Sequence, residues 1–288
     1  MSDSILVTGA TGTLGNQVVE QLSQRGYKVR AAVHSPERAT SLNGRANEIV
    51  SLDFSRPETF ERALDGIDKV FFLSPPTEDM VETGTRFAES AKEAGVRRIV
   101  RQSGMGADAD PGITLGHWHR GVERAIEDTG MEWTHLRPNS FMQNFVAFMS
   151  QTIKEQGTFY LPWGDGNISL VDVRDIATVA VESLTGDGHE GQSYEITGPE
   201  ALSGEDCSRI FSEVLNRTVQ YVDVPEDAAR QSMQGMGIPD WYVDVIMELY
   251  AINKAGYTAE VKDTVARVTG KDPRHFEQFV QDYVEVFS

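Results

Sequence analysis

The chain reads as an α/β protein with a Rossmann-type, doubly wound parallel sheet and a smaller, mostly helical C-terminal lobe. Three observations predict this. Ile5-Leu6-Val7 is an apolar run without a polar face, as in a strand buried on both sides. It leads straight into Gly9-Ala10-Thr11-Gly12-Thr13-Leu14-Gly15, after which Val18, Val19 and Leu22 have helical spacing up to Gly26. Short strands then alternate with helical segments through the first half of the chain, the pattern of a parallel sheet covered on both faces.

The elements follow in order. Strands are expected at Lys28–Val33, Glu48–Leu52, Lys69–Leu73, Arg97–Arg101 and Glu132–Leu136, with helices at Glu58–Leu64, Thr77–Ala94 and His117–Thr129 between them. Ala94-Gly95-Val96 and Thr129-Gly130-Met131 read as helix C-caps that feed new strands. After Pro138 the pattern loosens. Phe141–Gln156 reads as an apolar-rich helix, Gly157–Gly166 as a turn-rich segment, Ile168–Val171 as a short strand and Asp172–Leu184 as a helix. A strand at Tyr194–Thr197 precedes a stretch, from Ser203 onward, in which helices dominate. No linker marks a boundary. The expected division is a dinucleotide-binding domain over 1–155 and a substrate lobe over 156–288, interleaved with the first and not folding on its own.

Composition narrows the function. Of 288 residues, 40% are hydrophobic, enough for a sizeable core. Against 26 basic residues stand 44 acidic ones, a net charge of −18, which argues against a nucleic-acid binder. The acids are scattered, so they read as a solvated, self-repelling surface, also compatible with a salt-adapted host. A single cysteine, Cys207, excludes an internal disulfide framework and leaves no cysteine-based metal site. No apolar run approaches the roughly 20 residues that span a bilayer. The chain enters its first strand at once, without room for a signal peptide. A cytoplasmic protein, monomeric or homodimeric and without membrane or metal, is the expectation.

The glycine loop points to a dinucleotide. Gly9 can make the tight turn, Gly12 leaves room for phosphates, and Gly15 lets helix and strand pack closely. Thr11, Thr13 and Leu14 bring the start of the helix, whose free N–H groups suit an anion. The tip of the second strand distinguishes the two nicotinamide dinucleotides, because an NAD site wants a carboxylate there. This chain has none at that tip. His34, Ser35 and Arg38 can donate to a 2′-phosphate, although Arg38 reads equally as a surface charge, and Glu37 as a first-turn helix acid. NADP(H) is therefore favoured over NAD(H). Asp53 follows the third strand, where it can accept from the adenine amino group with Phe54 flanking the ring, or simply be a turn aspartate that caps the helix starting near Pro57. Ser74 and Pro75 follow the fourth strand at the cofactor edge, the proline shaping the loop.

Many dehydrogenases of this architecture carry Tyr-x-x-x-Lys on the helix after the fifth strand, the lysine lowering the tyrosine pKa for proton exchange. Counting back from Glu123, His119 stands at the lysine position and Leu115 at the tyrosine position, so the pair is absent. Three passages join His119 in carrying a family resemblance: Gly9–Gly15, Leu136-Arg137-Pro138-Asn139-Ser140-Phe141-Met142-Gln143-Asn144, and Val171-Asp172-Val173-Arg174-Asp175-Ile176-Ala177. With Gly270-Lys271-Asp272-Pro273-Arg274-His275-Phe276 near the end, the chain resembles the NmrA-like branch of the atypical short-chain dehydrogenase/reductases. Within it, the likeness is to the NAD(P)H-dependent quinone, azo-dye and triphenylmethane-dye reductases. The resemblance implies no flavin and a nicotinamide near Ser103-Gly104-Met105, close to His119 and the Pro138–Phe141 loop. The branch also holds redox-sensing regulators. Its members often carry arginine where this chain has His34, and a histidine there binds phosphate best when protonated.

His119 has three readings: a general acid, a hydrogen-bonding partner of the nicotinamide ribose, or a surface residue. His117, two residues away, lies on another helix face and makes no metal pair with it. Asn139 can hold ligand or brace its loop. Phe141, Met142, Phe145, Phe148 and Met149 sit at helical spacing. Some must be core, while Phe141 and Phe145, with Met105, Trp118 and Trp163, are candidate walls for a flat aromatic substrate. Asp172 and Asp175 have the spacing of a capping box, and Cys207 reads as inert. The leading expectation is an NAD(P)H-dependent reductase of quinone-like or other conjugated aromatic acceptors. The alternative is a non-catalytic NADP(H) sensor acting through a protein partner. A sugar-nucleotide epimerase is a third reading, disfavoured by the missing tyrosine pair.

Overall fold

The computed structural model describes residues 3–288, apart from the side chain of Arg38. The chain forms two compact units, Met1–Pro138 with Val173–Glu195, and Asn139–Asp172 with Ile196–Ser288. The boundary thus falls at Pro138 rather than at 155, and the first unit regains a later segment. The reason is non-local hydrogen bonding. Asn139 N donates to Ile196 O, and Ser169 N to Thr258 O, at 2.9 Å each, committing the chain after Pro138 to the second unit.

The first unit opens with β1 (Ser4–Val7), α1 (Thr13–Gln24), β2 (Lys28–Val33) and β3 (Glu48–Ser51). It continues through α2 (Phe60–Leu64), β4 (Lys69–Phe72), α3 (Met80–Glu93), β5 (Arg98–Gln102), α4 (Thr114–Asp128) and β6 (Glu132–Pro138). Helix α5 (Ser150–Gln156) and strand β7 (Thr158–Leu161) belong to the second unit, and α6 (Val173–Thr185) and β8 (Gln192–Ile196) follow. The sheet order is β3-β2-β1-β4-β5-β6-β8, with β3 through β6 parallel. The order reverses between β1 and β4, the crevice where open α/β sheets bind ligands at their carboxyl ends. Ile5, Leu6 and Val7 are fully buried, as a strand covered on both faces requires. Helix α6 buries Ile176, Val179, Ala180 and Leu184 and is tied to α1 by Gln21 Nε2 donating to Arg174 O at 3.1 Å.

The second unit adds α7 (Gly204–Leu215), β9 (Gln220–Asp223), α8 (Glu226–Gly235), α9 (Asp240–Lys254), α10 (Thr264–Thr269), α11 (Phe276–Asp282) and α12 (Val284–Phe287). Its core is aromatic. Phe145 lies 5.2–5.3 Å, ring centre to ring centre, from Phe159, Phe211 and Phe276. The expected single helix over 141–156 is a π-helical turn at Phe145–Met149 running into α5, which stops at Gly157 with φ 64°. The expected turn-rich segment over 157–166 contains β7, which pairs in parallel with β9, Thr158 opposite Gln220 and Leu161 opposite Asp223. Ile168–Val171 contributes only isolated bridges, Phe141 to Val171 and Ile168 to Leu202. No helix among the described residues is long and apolar enough to cross a membrane.

Candidate active site

The glycine loop is built by steric necessity. Gly9 has φ +61°, which L side chains rarely adopt. A Cβ on Gly15 would stand 2.2 Å from Gly9 O, so α1 packs onto the loop only because Gly15 has none. A Cβ on Gly12 would meet the same oxygen at 3.2 Å. The first helical bond of α1 runs from Asn16 N to Gly12 O, and Gly12 offers no side-chain cap. The N–H groups of the first turn, at Thr13 and Leu14, therefore lack intrahelical partners and suit an anion. Beside the loop lies a cavity of about 460 Å³, lined by Gly9, Thr11 and Gly12, by Ala32, Val33 and His34 after β2, and by Leu52, Asp53, Phe54 and Ser55 after β3. Leu73, Pro75, Thr77, Asp79 and Thr83 close it from β4 and α3. Volume, free N–H groups and missing Cβ atoms together fit a dinucleotide.

His34 and Asp53 face each other at the rim, His34 Nε2 3.5 Å from Asp53 Oδ2. Asp53 Oδ1 accepts from Ser55 N at 2.9 Å and from Ser55 Oγ at 2.7 Å. The Ser55 hydroxyl bond holds the Asp53 carboxyl below its ordinary range, burial opposing. Asp53 does not make the helix cap expected as its alternative, since the turn at Pro57–Thr59 begins at Arg56 without a side-chain cap; it braces its own loop through Ser55 and leaves Oδ2 facing the histidine. Phe54 lies 5.5–6.0 Å, ring centre to ring centre, from Phe60, Phe72 and Phe87, and also lines the cavity. The Arg38 side chain lies outside the described residues. Ser74 needs correction as a side-chain ligand. It is 7% exposed, and its Oγ accepts from Arg101 Nη2 at 3.3 Å, whereas Pro75 lines the cavity.

The other end of the cofactor edge is dry and charged. Arg101, fully buried at the end of β5, holds its guanidinium 4.8 Å from the Phe72 ring centre and donates to Phe72 O at 3.4 Å and to Gln102 O. Burial pulls its pKa down to about 9, with Glu123 opposing. Glu123 is also fully buried. Its carboxylate accepts from Arg137 Nε at 2.9 Å, Arg137 Nη2 at 2.8 Å, Arg120 Nη1 at 3.1 Å and Ser103 Oγ at 2.7 Å. Burial disfavours that charge, but the Arg137 bonds, His135 and Ser103 outweigh it and hold the carboxyl at about 2. Ser103 therefore turns its hydroxyl inward to Glu123, and as a side-chain cofactor ligand it too is corrected.

His119 packs onto the chain at Gly104, where a Cβ would stand 2.9 Å from its Cδ2. Its Nδ1 is shut off from solvent and has no partner among the described residues. Burial, joined by the charge of Arg101 and opposed by Glu123, pushes its pKa down to about 3. The half-buried ring is thereby held toward its neutral form, which favours the positioning reading over the general-acid one. Met105 is half-buried, its N donating to Pro138 O at 3.0 Å, and Trp118 packs against the first unit's core. Sequence reasoning missed Arg101 and used Glu123 only as a counting mark. The available signal was one arginine in the otherwise apolar Ile99-Val100-Arg101.

In the second unit, Asn139 Nδ2 donates to Ser169 Oγ and to Thr258 O at 2.8 Å each, while Oδ1 accepts from Ser140 N at 2.8 Å. Its amide braces the loop. Phe145 and Trp163 are 1% and 5% exposed within the aromatic core, which corrects them as substrate walls. The apolar stripe splits by face, with Phe141 half-buried and Phe148 78% exposed. Cys207 is fully buried, and burial pushes its thiol pKa up.

The chain matches the NmrA-like family over residues 1–280. It is 40% identical over 283 residues to an NAD(P)H azoreductase of Xenophilus azovorans, covering 98% of this chain and 99% of that one. Among solved structures, the triphenylmethane reductase of Citrobacter sp. complexed with NADP(H) superimposes with a TM-score of 0.84 at 26% identity, covering 97% and 99% of the two chains. The NADPH-dependent quinone oxidoreductase of Escherichia coli complexed with NADPH gives 0.86 at 25% identity over 97% and 99%. The chain belongs to the NmrA-like family and is an oxidoreductase within it.

Proposed function

We propose that the chain is an NADPH-preferring reductase of quinone-like or other conjugated aromatic acceptors. The observation that carries the mechanism is His119, a half-buried imidazole laid against Gly104 whose pKa burial pushes down. When bound, the reduced nicotinamide dinucleotide supplies the hydride. The chain's own part is binding and orientation. The glycine loop and the start of α1 hold the phosphates, His34 reaches the 2′-phosphate, and His119 offers a ring nitrogen for hydrogen bonding. Water supplies the proton that the reduced acceptor takes up. The names of the relatives support the reading, one an NAD(P)H azoreductase and one an NADPH-dependent quinone oxidoreductase.

Steady-state oxidation of NADPH with a quinone, an azo dye and a triarylmethane dye tests this. Turnover is expected on at least one, with kcat flat across the range where imidazoles titrate. Cofactor binding without turnover on any acceptor overturns the reading and favours a redox sensor. A kcat that rises on acidification with an imidazole-like midpoint, and loses that dependence in His119→Asn, would restore His119 as the acid.

A further inference from the structure

The pair at the cavity rim carries a further step, which rests on the dinucleotide reading above. We propose that His34 and Asp53 together make the choice between NADPH and NADH depend on pH, the pair favouring NADPH in acid and tolerating NADH in base. His34 is exposed, with 78% of its side chain accessible, and it lines the same cavity as Asp53. Two partners flank its ring, Asp53 Oδ2 3.5 Å from Nε2 and Ser35 Oγ 3.2 Å from Nδ1. Asp53 cannot turn away, because Ser55 pins its other oxygen twice.

A protonated imidazole between a carboxylate and an incoming 2′-phosphate serves both anions. A neutral imidazole leaves the fixed carboxylate facing the phosphate, which is repulsion for NADPH, while the free 2′-hydroxyl of NADH can donate to that carboxylate. An arginine at this tip would stay charged throughout, so this behaviour is specific to a histidine opposite an aspartate. The other described charges nearby are Arg56 and Glu58, which interact with Asp53, Asp79, which lines the same cavity, and Glu37 on the turn after Ser35. None of these ordinarily changes charge near neutrality. The 2′-phosphate itself does, with a second ionisation near pH 6, and its extra charge at high pH strengthens binding to a fixed cation.

Fluorescence titration of the full chain with NADPH and with NADH, from about pH 5.5 to 8.5, separates these contributions. The ratio Kd(NADH)/Kd(NADPH) is expected to fall about tenfold as pH rises, the effect of removing one cation from beside a phosphate. His34→Arg should keep the ratio high, flat or rising with pH. Asp53→Asn should raise the ratio at the alkaline end and so shrink the fall. A wild-type ratio that varies less than twofold, or one that falls equally in His34→Arg, overturns the inference while leaving the dinucleotide reading intact. Failure of both dinucleotides to bind at any pH overturns the reading itself.

Discussion

The carboxyl edge of the first unit's sheet carries two charge clusters of opposite character. At the tips of β2 and β3, His34 and Asp53 stand at a rim, the histidine side chain largely exposed to solvent. At the tips of β5 and β6, Arg101 is fully buried and Arg137 nearly so; Arg137 is ion-paired with the fully buried Glu123 of α4, while Arg101 is held by hydrogen bonds to Phe72 O and Gln102 O. An exposed pair contributes little stability and responds to conditions. A buried one resists conditions, and its partners cannot be removed singly without leaving a charge stranded in low dielectric. The first suits recognition of a variable phosphate, and the second suits holding a neutral ring in place.

The largest test breaks the buried cluster. Glu123→Ala removes the acceptor of four hydrogen bonds and leaves Arg137 and Ser103 facing a void. A loss of about 3–5 kcal/mol in urea unfolding is expected, against less for Glu123→Gln, which keeps the shape and some of the bonds. A loss below about 1 kcal/mol would mean that water relieves the cluster and the contrast with the rim is false.

Steric rules were legible in the sequence, and burial of charge was not. The glycine spacing announced the loop, in which Gly15 leaves no room for a Cβ beside Gly9 O, and β1 and β4 announced themselves as short apolar runs. Strands β7 and β9 were hidden because each has four residues and its partner is some sixty residues away. Pairing at that distance leaves no local period. The boundary at Pro138 was hidden for the same reason. Phe145 and Phe148 look alike in a helical stripe, and the π-helical turn contributes to sending one into the core and the other to the surface. Arg101 and Glu123 went unread, since an arginine and a glutamate carry no mark of what encloses them.

The next effect belongs to the cradle. Gly15→Ala forces a Cβ to within 2.2 Å of Gly9 O, a backbone atom that cannot swing aside. A loss of about 1–3 kcal/mol is expected, together with weakened dinucleotide binding. Gly12→Ala meets the same oxygen at 3.2 Å and should cost less stability while still narrowing the phosphate site. Calorimetry of the two variants with and without NADPH separates the effects. Equal melting temperatures for both would show that the loop shifts to absorb either methyl.

The pH dependence of stability distinguishes the two clusters by slope. His119 and His135 have folded pKa values pushed down to about 3 and about 4, chiefly by burial. Each contributes stability that is fully present above the ordinary histidine value and is lost as pH falls through it toward the folded one. Glu123, held at about 2, adds a similar loss from the ordinary carboxylate value downward. Below pH 6.5, each buried imidazole should add about 1.4 kcal/mol per pH unit to the slope of unfolding free energy. His119→Asn should remove one such increment between about pH 6 and 4.5 and leave the slope above pH 7 unchanged. An unaltered slope would mean that His119 is solvated and able to protonate, returning the general-acid reading.

The smallest effect completes the contrast. His34→Ala deletes a side chain 78% accessible to solvent and a 3.5 Å contact with Asp53. Asp53 keeps both Ser55 bonds, so its turn survives without the histidine. The unfolding free energy should change by less than about 0.5 kcal/mol at neutral pH, the range of surface positions away from special features. NADPH binding should weaken by severalfold more than NADH binding in acid. A large stability loss would show that the pair braces the β2 and β3 tips, making His34 part of the scaffold rather than a reader of the phosphate.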